Sequence, residues 1–334
     1  MSLIASNLTP KPMGIPSNSP TRAMELRLMH HYTRTVCYLM PNCSGQPSRE
    51  MWENKIPQLS FAFSIVLDPV LALAAMHLHS QTPEDAQLPM AISYYLDRTL
   101  TRYREAILET DSNIAEPLFV AAVILSNMTW LLSHRRSEDS SAKLPIQAYH
   151  MLRGVGALYL RKAGLLTTLG YQWFMLEEPV VMPDDIPDEV TQKLAAAKED
   201  LEALLSGFKI DTLSESEQSM YQNTVDYLLW LYKACLLKAN SGALHRYIAT
   251  MAVRQQPGYL ELLEKHDPLA MALFARCLAL LRLVDFRWWL HGCGDYEVLK
   301  RDMHIIRQLM PTSCRWAMSD PFKSITVDSE ISSS

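Results

Sequence analysis

The chain has 334 residues, of which 49% are hydrophobic and 20% charged. That balance provides one large core or two smaller ones and excludes a disordered chain. The net charge of −5, from 31 basic and 36 acidic residues, supplies no field to hold a polyphosphate.

Residues 1–20 are rich in Pro, Ser and Asn and carry no apolar period, so they read as a flexible leader. They also lack the charged and apolar regions of a secretory signal. Thr21 to Met40 places Leu28, Met29, Tyr32, Val36, Leu39 and Met40 on one helical face, ended by Pro41 and Asn42. Asp68 followed by Pro69 has the form of an N-cap with proline at the first helical position, opening a helix to about Ser80. Helices are then predicted at 86–109, 115–135, 146–163, 188–206, 216–238, 242–254 and 295–310. The Asp-Pro device recurs at Asp267-Pro268, opening a helix through Leu273, Cys277, Val284 and Trp288 that stops near Gly292. Residues 322–334 are Ser-rich and read as a frayed tail. Strand-like alternation and internal repeats are absent. The expected fold class is all-α, a bundle of roughly ten helices over 21–321 with short loops.

Phe119 to Leu125 is apolar on every side, which places its helix centrally. No membrane span is expected: Asp68 and Pro69 interrupt Phe61–Leu78, while Leu118–Leu132 is too short and carries Asn127. The 18 Met, 14 Tyr and 7 Trp provide material for an adaptable apolar cavity, although an ordinary packed core uses the same residues. The short basic groups are Arg98-Arg102-Arg104, His134-Arg135-Arg136 and Arg161-Lys162. They read as solvated helix faces.

Motifs for chemistry are few. Asp184-Asp185-Ile-Pro-Asp188 has the carboxylate spacing with which all-α isoprenoid enzymes hold Mg2+ on a diphosphate. Here Pro183 and Pro187 break the helix that the spacing requires, so an acidic turn leading into the next helix is the better reading. His30-His31 and His77/His79 sit at spacings that point to different helix faces, so neither pair chelates locally. They are expected at helix contacts, where His30 and His77 could meet. The six cysteines, Cys37, Cys43, Cys235, Cys277, Cys293 and Cys314, include no C-x2-C pair, and no metal site or cofactor is expected. Their scatter suits a reducing compartment. Gly154-Val-Gly156 and Gly292-Cys-Gly294 follow helices and are weak signals for nucleotide binding. No nucleophile elbow, Walker loop or H-E-x-x-H occurs. The aromatic run Phe286-Arg287-Trp288-Trp289, closed by Gly292 and Gly294, could form a pocket wall or lid, since adjacent tryptophans face different ways.

Five blocks in order resemble one family. They are Leu28–Thr33; Pro57–Phe61 leading to Asp68–His77; Leu152–Val155; Asp267–Gly294 with its paired tryptophans; and Arg315-Trp316 with Asp320-Pro321. Together they resemble the regulatory domain of fungal Zn2Cys6 transcription factors, in particular the sterol-uptake regulators. The resemblance implies a helical ligand-binding domain that senses a sterol-like hydrophobic molecule and controls nuclear entry and activation. Pocket contacts vary between members of the family, and within this reading the residues chosen for the ligand pocket are Met29, Tyr32, Phe286, Trp289 and Gly292. The chain departs from the family in having no six-cysteine zinc cluster, no long basic run and little linker. Direct DNA contact is therefore not expected, and a partner protein or the transcription machinery would supply it. A homodimer is left open. The expected function is a non-enzymatic transcriptional regulator in the nucleus, shuttling from the cytoplasm. The alternatives are an isoprenoid-processing enzyme using Asp184, Asp185 and Asp188, or a helical scaffold without a pocket.

Overall fold

Helices that carry apolar residues on every side must be covered by protein on every side, and such helices form the centre of this molecule. The structure is a computed structural model that describes residues 21–40, 49–108, 112–135, 143–172, 180–256, 258–292 and 297–318. The expected leader, the stop at Pro41-Asn42, Gly294 and the tail 322–334 lie outside the described residues.

The fold is all-α, with no strand among the described residues. α1 (Arg22–His31) passes through a π-helical turn (Tyr32–Val36) into a last turn at Cys37–Leu39. α2 (Ile56–Ala62) leads into α3 (Ser64–Gln81), which packs along α4 (Gln87–Ala106). α5 (Ala115–Arg135) packs along α6 (Ile146–Arg161), followed by the short α7 (Ala163–Thr168). The second half contains α8 (Asp188–Gly207), α9 (Glu215–Leu236), α10 (Ser241–Arg254) and the short α11 (Tyr259–Glu264). It closes with α12 (Pro268–Ala279), the four-residue α13 (Trp288–His291) and α14 (Glu297–Leu309).

α3, α5 and α12 are the central helices. Every residue from Asp68 to His77 is buried, as are Leu269 to Ala275. The Ala115–His134 stretch is long and apolar enough to cross a membrane, so the expectation that this segment is too short needs correcting. It lies 78% buried inside the protein, as a core helix does.

The two Asp-Pro pairs part company. Asp267 caps α12 as expected: its Oδ1 accepts from Ala270 N at 2.8 Å and from the Tyr221 hydroxyl at 2.9 Å. Asp68 is not a cap. α3 begins at Ser64, after the extended Phe63, so Asp68 and Pro69 lie inside the helix. Asp68 is 1% exposed, and its Oδ2 accepts from Arg102 Nη1 and from Arg98 Nε at 3.3 Å. The expected solvated face of α4 is therefore a pair of cations over a buried carboxylate, with Arg98 also donating to the Tyr94 hydroxyl at 2.6 Å. A carboxylate at this depth is tolerated only when paired.

A second buried pair fixes α5 to α14. His134 and Asp302 are 4% and 1% exposed. His134 Nδ1 lies 2.7 Å from the Trp130 carbonyl, and Nε2 lies 3.0 Å from Asp302 Oδ2. His134 thus also leaves the solvated group predicted for it.

Lys55 closes the near end of α5. It donates to the Leu169 carbonyl at 2.7 Å, pairs with Glu116 at 2.7 Å and lies over the Tyr171 ring. Arg276, in the otherwise apolar α12, forks onto Asp200 of α8 at 2.5 and 2.9 Å and reaches the Ala317 carbonyl at 3.1 Å.

Arg98→Met with Arg102→Met leaves Asp68 buried and uncompensated. The double variant is expected to lose about 3–5 kcal/mol of stability, read as a lower urea midpoint. Adding Asp68→Leu to it should recover much of that loss, because the buried charge is then gone. A triple variant no more stable than the double would show that the pair does not carry α3.

Candidate functional site

The sequence-selected residues fall on two segments far apart in the chain, and α3 stands between them. Tyr32 is fully buried at the start of the π-helical turn, and its hydroxyl donates to the Trp52 carbonyl at 3.3 Å. Thr33 supports that turn by donating to the carbonyls of Met29 and His30, each at 3.1 Å. A π-turn inserts a residue into the helix and re-aims the side chains around it. Met29 is half-buried against the core.

On the other segment, Trp289 is buried and Phe286 is 56% exposed. The Phe286 ring stacks on His291 at 5.2 Å. His291 is locked from both sides: Nδ1 accepts from Arg287 N at 2.9 Å and Nε2 donates to the Leu281 carbonyl at 3.1 Å. Burial lowers its pKa. Gly292 ends α13 with φ 87° and ψ −164°. That conformation is open to glycine and costs a side-chain-bearing residue about 1–3 kcal/mol. α12 stops at Ala279, short of the predicted Gly292; a 3-10 turn (Leu280–Arg282) and a non-helical link precede α13.

The two segments are joined by residues outside the five chosen for the pocket. His31 Nε2 lies 2.8 Å from His77 Nδ1, with the rings stacked at 5.0 Å. His77 in turn meets Trp288 edge-on at 4.7 Å. The expected meeting of His30 with His77 is therefore made by His31, while His30 faces solvent. Trp288 Nε1 is buried and has no acceptor among the described residues. Behind it, Trp130 Nε1 donates to the Leu290 carbonyl at 3.3 Å, tying α13 to α5. The result is a ring cluster with one unspent donor.

Asp184 and Asp185 are exposed on a bend, and Asp188 is the first residue of α8. The three carboxylates are not arrayed on one helix, and among the described residues no group of three potential metal ligands is gathered. Cys37, Cys235 and Cys277 are buried thiols, with burial raising Cys37 to about 11 and Cys235 to about 12. Such thiols are poor nucleophiles.

Burial lowers the His77 pKa to about 4, with the neighbouring His31 adding to the shift, and burial also lowers His31. Both rings are therefore neutral in the fold near pH 7. In the unfolded chain each takes up a proton as pH falls through about 6.5. The unfolded state thus binds more protons between about 6.5 and 4, and stability falls with pH across that window. His77→Gln should flatten this part of the curve. Thermal unfolding of both proteins at steps from pH 7 to pH 4 checks it, and parallel curves would refute the assignment.

Residues 27–168 match the family described as the fungal specific transcription factor domain. The chain is 25% identical over 301 residues to a Zn(2)-C6 fungal-type transcription factor of Gibberella zeae, covering 83% of this chain and 57% of that protein. It is 31% identical over 118 residues to the Zn(2)-C6 fungal-type transcription factor afumD of Aspergillus fumigatus, covering 35% and 31%. It is 29% identical over 150 residues to sterol uptake control protein 2 of Candida albicans, covering 45% and 20%. The chain thus spans little more than half the length of the Gibberella relative and less of the others. The matched region runs from within α1 to the end of α7 and includes His31, the buried Asp68 and His77, and over these residues the chain is similar to the regulatory domain of fungal transcription factors.

Proposed function

We propose that these residues form the sensing portion of a transcriptional regulator, responding to a hydrophobic, sterol-like molecule at the ring cluster between α1, α3 and α13. The observation that carries this reading is the buried Trp288 indole N–H without an acceptor. A buried donor left unmatched costs about 1–3 kcal/mol, and the hydroxyl of a bound ligand would satisfy it. The surroundings have the chemistry of an apolar ligand site with few polar groups: Trp288 and Trp289, the His31–His77 pair and the buried Tyr32. Met29, Tyr32, Phe286, Trp289 and Gly292 would line it, with exposed Phe286 on the entry side. Likeness to a sterol uptake control protein supports the ligand class.

Base reading is assigned to protein outside these residues, since the sequence holds no C-x2-C pair. The domain would act in the nucleus, entering from the cytoplasm, and carry out no chemistry of its own.

Thermal unfolding with ergosterol or cholesterol at about 100-fold its Kd should raise the Tm by roughly 5 °C. Trp288→Phe keeps the aromatic packing but removes the donor, so it should fold and lose most of that shift. Absence of a shift in the natural sequence, or an equal shift in Trp288→Phe, would refute this assignment of the ligand site.

A further inference from the structure

From Lys143 to Leu176 the sequence contains no Asp or Glu, although the chain as a whole is acidic. The same stretch holds Lys143, Arg153, Arg161 and Lys162. Within it Ile146–Arg161 and Ala163–Thr168 form α6 and α7, and the fold sorts their residues. Ala148, Tyr149, Val155 and Tyr159 face the core. Arg153, Gly154, Ala157, Leu160 and Arg161 face out at helical spacing.

Two of the outward residues are large and apolar: Leu160 is 66% exposed and Leu165 is 39% exposed. A Cβ added at Gly154 or Gly164 would meet nothing within 4 Å, so the ground beside them is open. Isolated exposed leucines are ordinary. Here they sit among unopposed cations: Arg153, Arg161 and Lys162 are absent from the ion pairs of the described residues, whereas His150 at the far end is paired with Glu264 at 2.5 Å. An apolar strip bordered by cations, on a chain of net charge −5, is complementary to a helix with one apolar face and acidic flanks.

The geometry points to the outer face of α6 and α7 as a docking surface for an acidic amphipathic helix of a partner protein. Leucine-type anchors of the partner lie along Gly154, Ala157 and Leu160, where small side chains let a helix come close. Its carboxylates meet Arg153, Arg161 and Lys162. Three cations beside exposed leucines suit a short acidic segment better than a nucleic-acid backbone, which needs a longer basic track. This surface does not depend on a ligand being sensed at Trp288.

The test uses the full chain and a fluorescein-labelled helical peptide with Leu at i, i+4, i+7 and i+11 and Glu between them. Fluorescence anisotropy should show saturable binding that weakens with added salt. The combined Arg153→Glu, Arg161→Glu, Lys162→Glu variant and the single Leu160→Ser variant should each bind about tenfold more weakly or worse. All four positions are at the surface, and circular dichroism and Tm should match the natural sequence. The peptide with Lys in place of Glu should bind the charge-reversed variant better than the natural one. Failure of the acidic peptide to bind, or equal binding to all variants, overturns the proposal. So does a duplex DNA that binds the same face more tightly than the peptide, or a dimer in sedimentation that Leu160→Ser dissociates.

Discussion

The buried Asp68 carboxylate is the constraint on which the arrangement of the first half depends. It lies inside α3, in the run from Asp68 to His77 where every residue is buried, and Arg98 and Arg102 reach it. Those two arginines are one helical turn apart on α4, so the pairing fixes both the rotation of α3 and its height against α4. His77 lies nine residues further along the same helix, about 13 Å at the α-helical rise. A rigid rod pinned at Asp68 therefore sets where His77 meets His31 and Trp288. The ion pair positions the ring cluster without touching it.

The same dipeptide, Asp-Pro, begins one helix and sits inside another, and the difference lies in the residues ahead of it. Before Asp267 the chain has just ended α11 and must turn; His266 takes a left-handed φ of 57°, and Asp267 is free to cap. Before Asp68 stand Ser64, Ile65, Val66 and Leu67, with nothing that forces a turn. Phe63, in extended conformation, makes the break instead. The helix then includes Pro69, whose missing N–H costs a hydrogen bond in the second turn. Burial of Val66 to Met76 outweighs it. Local capping rules are overridden where a run of apolar residues has more to gain from burial.

Helix positions and the all-α class were legible because apolar period and caps are local signals. The predicted 115–135, 188–206 and 216–238 helices appear as Ala115–Arg135, Asp188–Gly207 and Glu215–Leu236. The ring cluster was half legible. Tyr32 and the tryptophan pair mark its two sides, but the contacts run through His31, His77 and Trp288. The spacing argument against histidine pairs is sound within one helix, yet these partners are 46 residues apart. Which of two adjacent tryptophans meets a histidine depends on a turn after α12 that no periodic pattern encodes. Arg98 and Arg102 were misread for the same reason: a cation on an amphipathic helix looks solvated until its buried partner is known.

Trp130 lies between the ring cluster and α6. On one side its indole donates to the Leu290 carbonyl beside Trp288; on the other its ring meets Tyr149 edge-on at 5.9 Å. Tyr149 belongs to α6, the helix that also carries Arg153 and Leu160. Adjacency becomes coupling only where some element has two arrangements that a ligand tells apart. On this line Tyr149 has the strongest reason to shift, because its hydroxyl is fully buried without a hydrogen-bond partner among the described residues. Trp130 thus links α13 to α6 through one hydrogen bond and one aromatic contact.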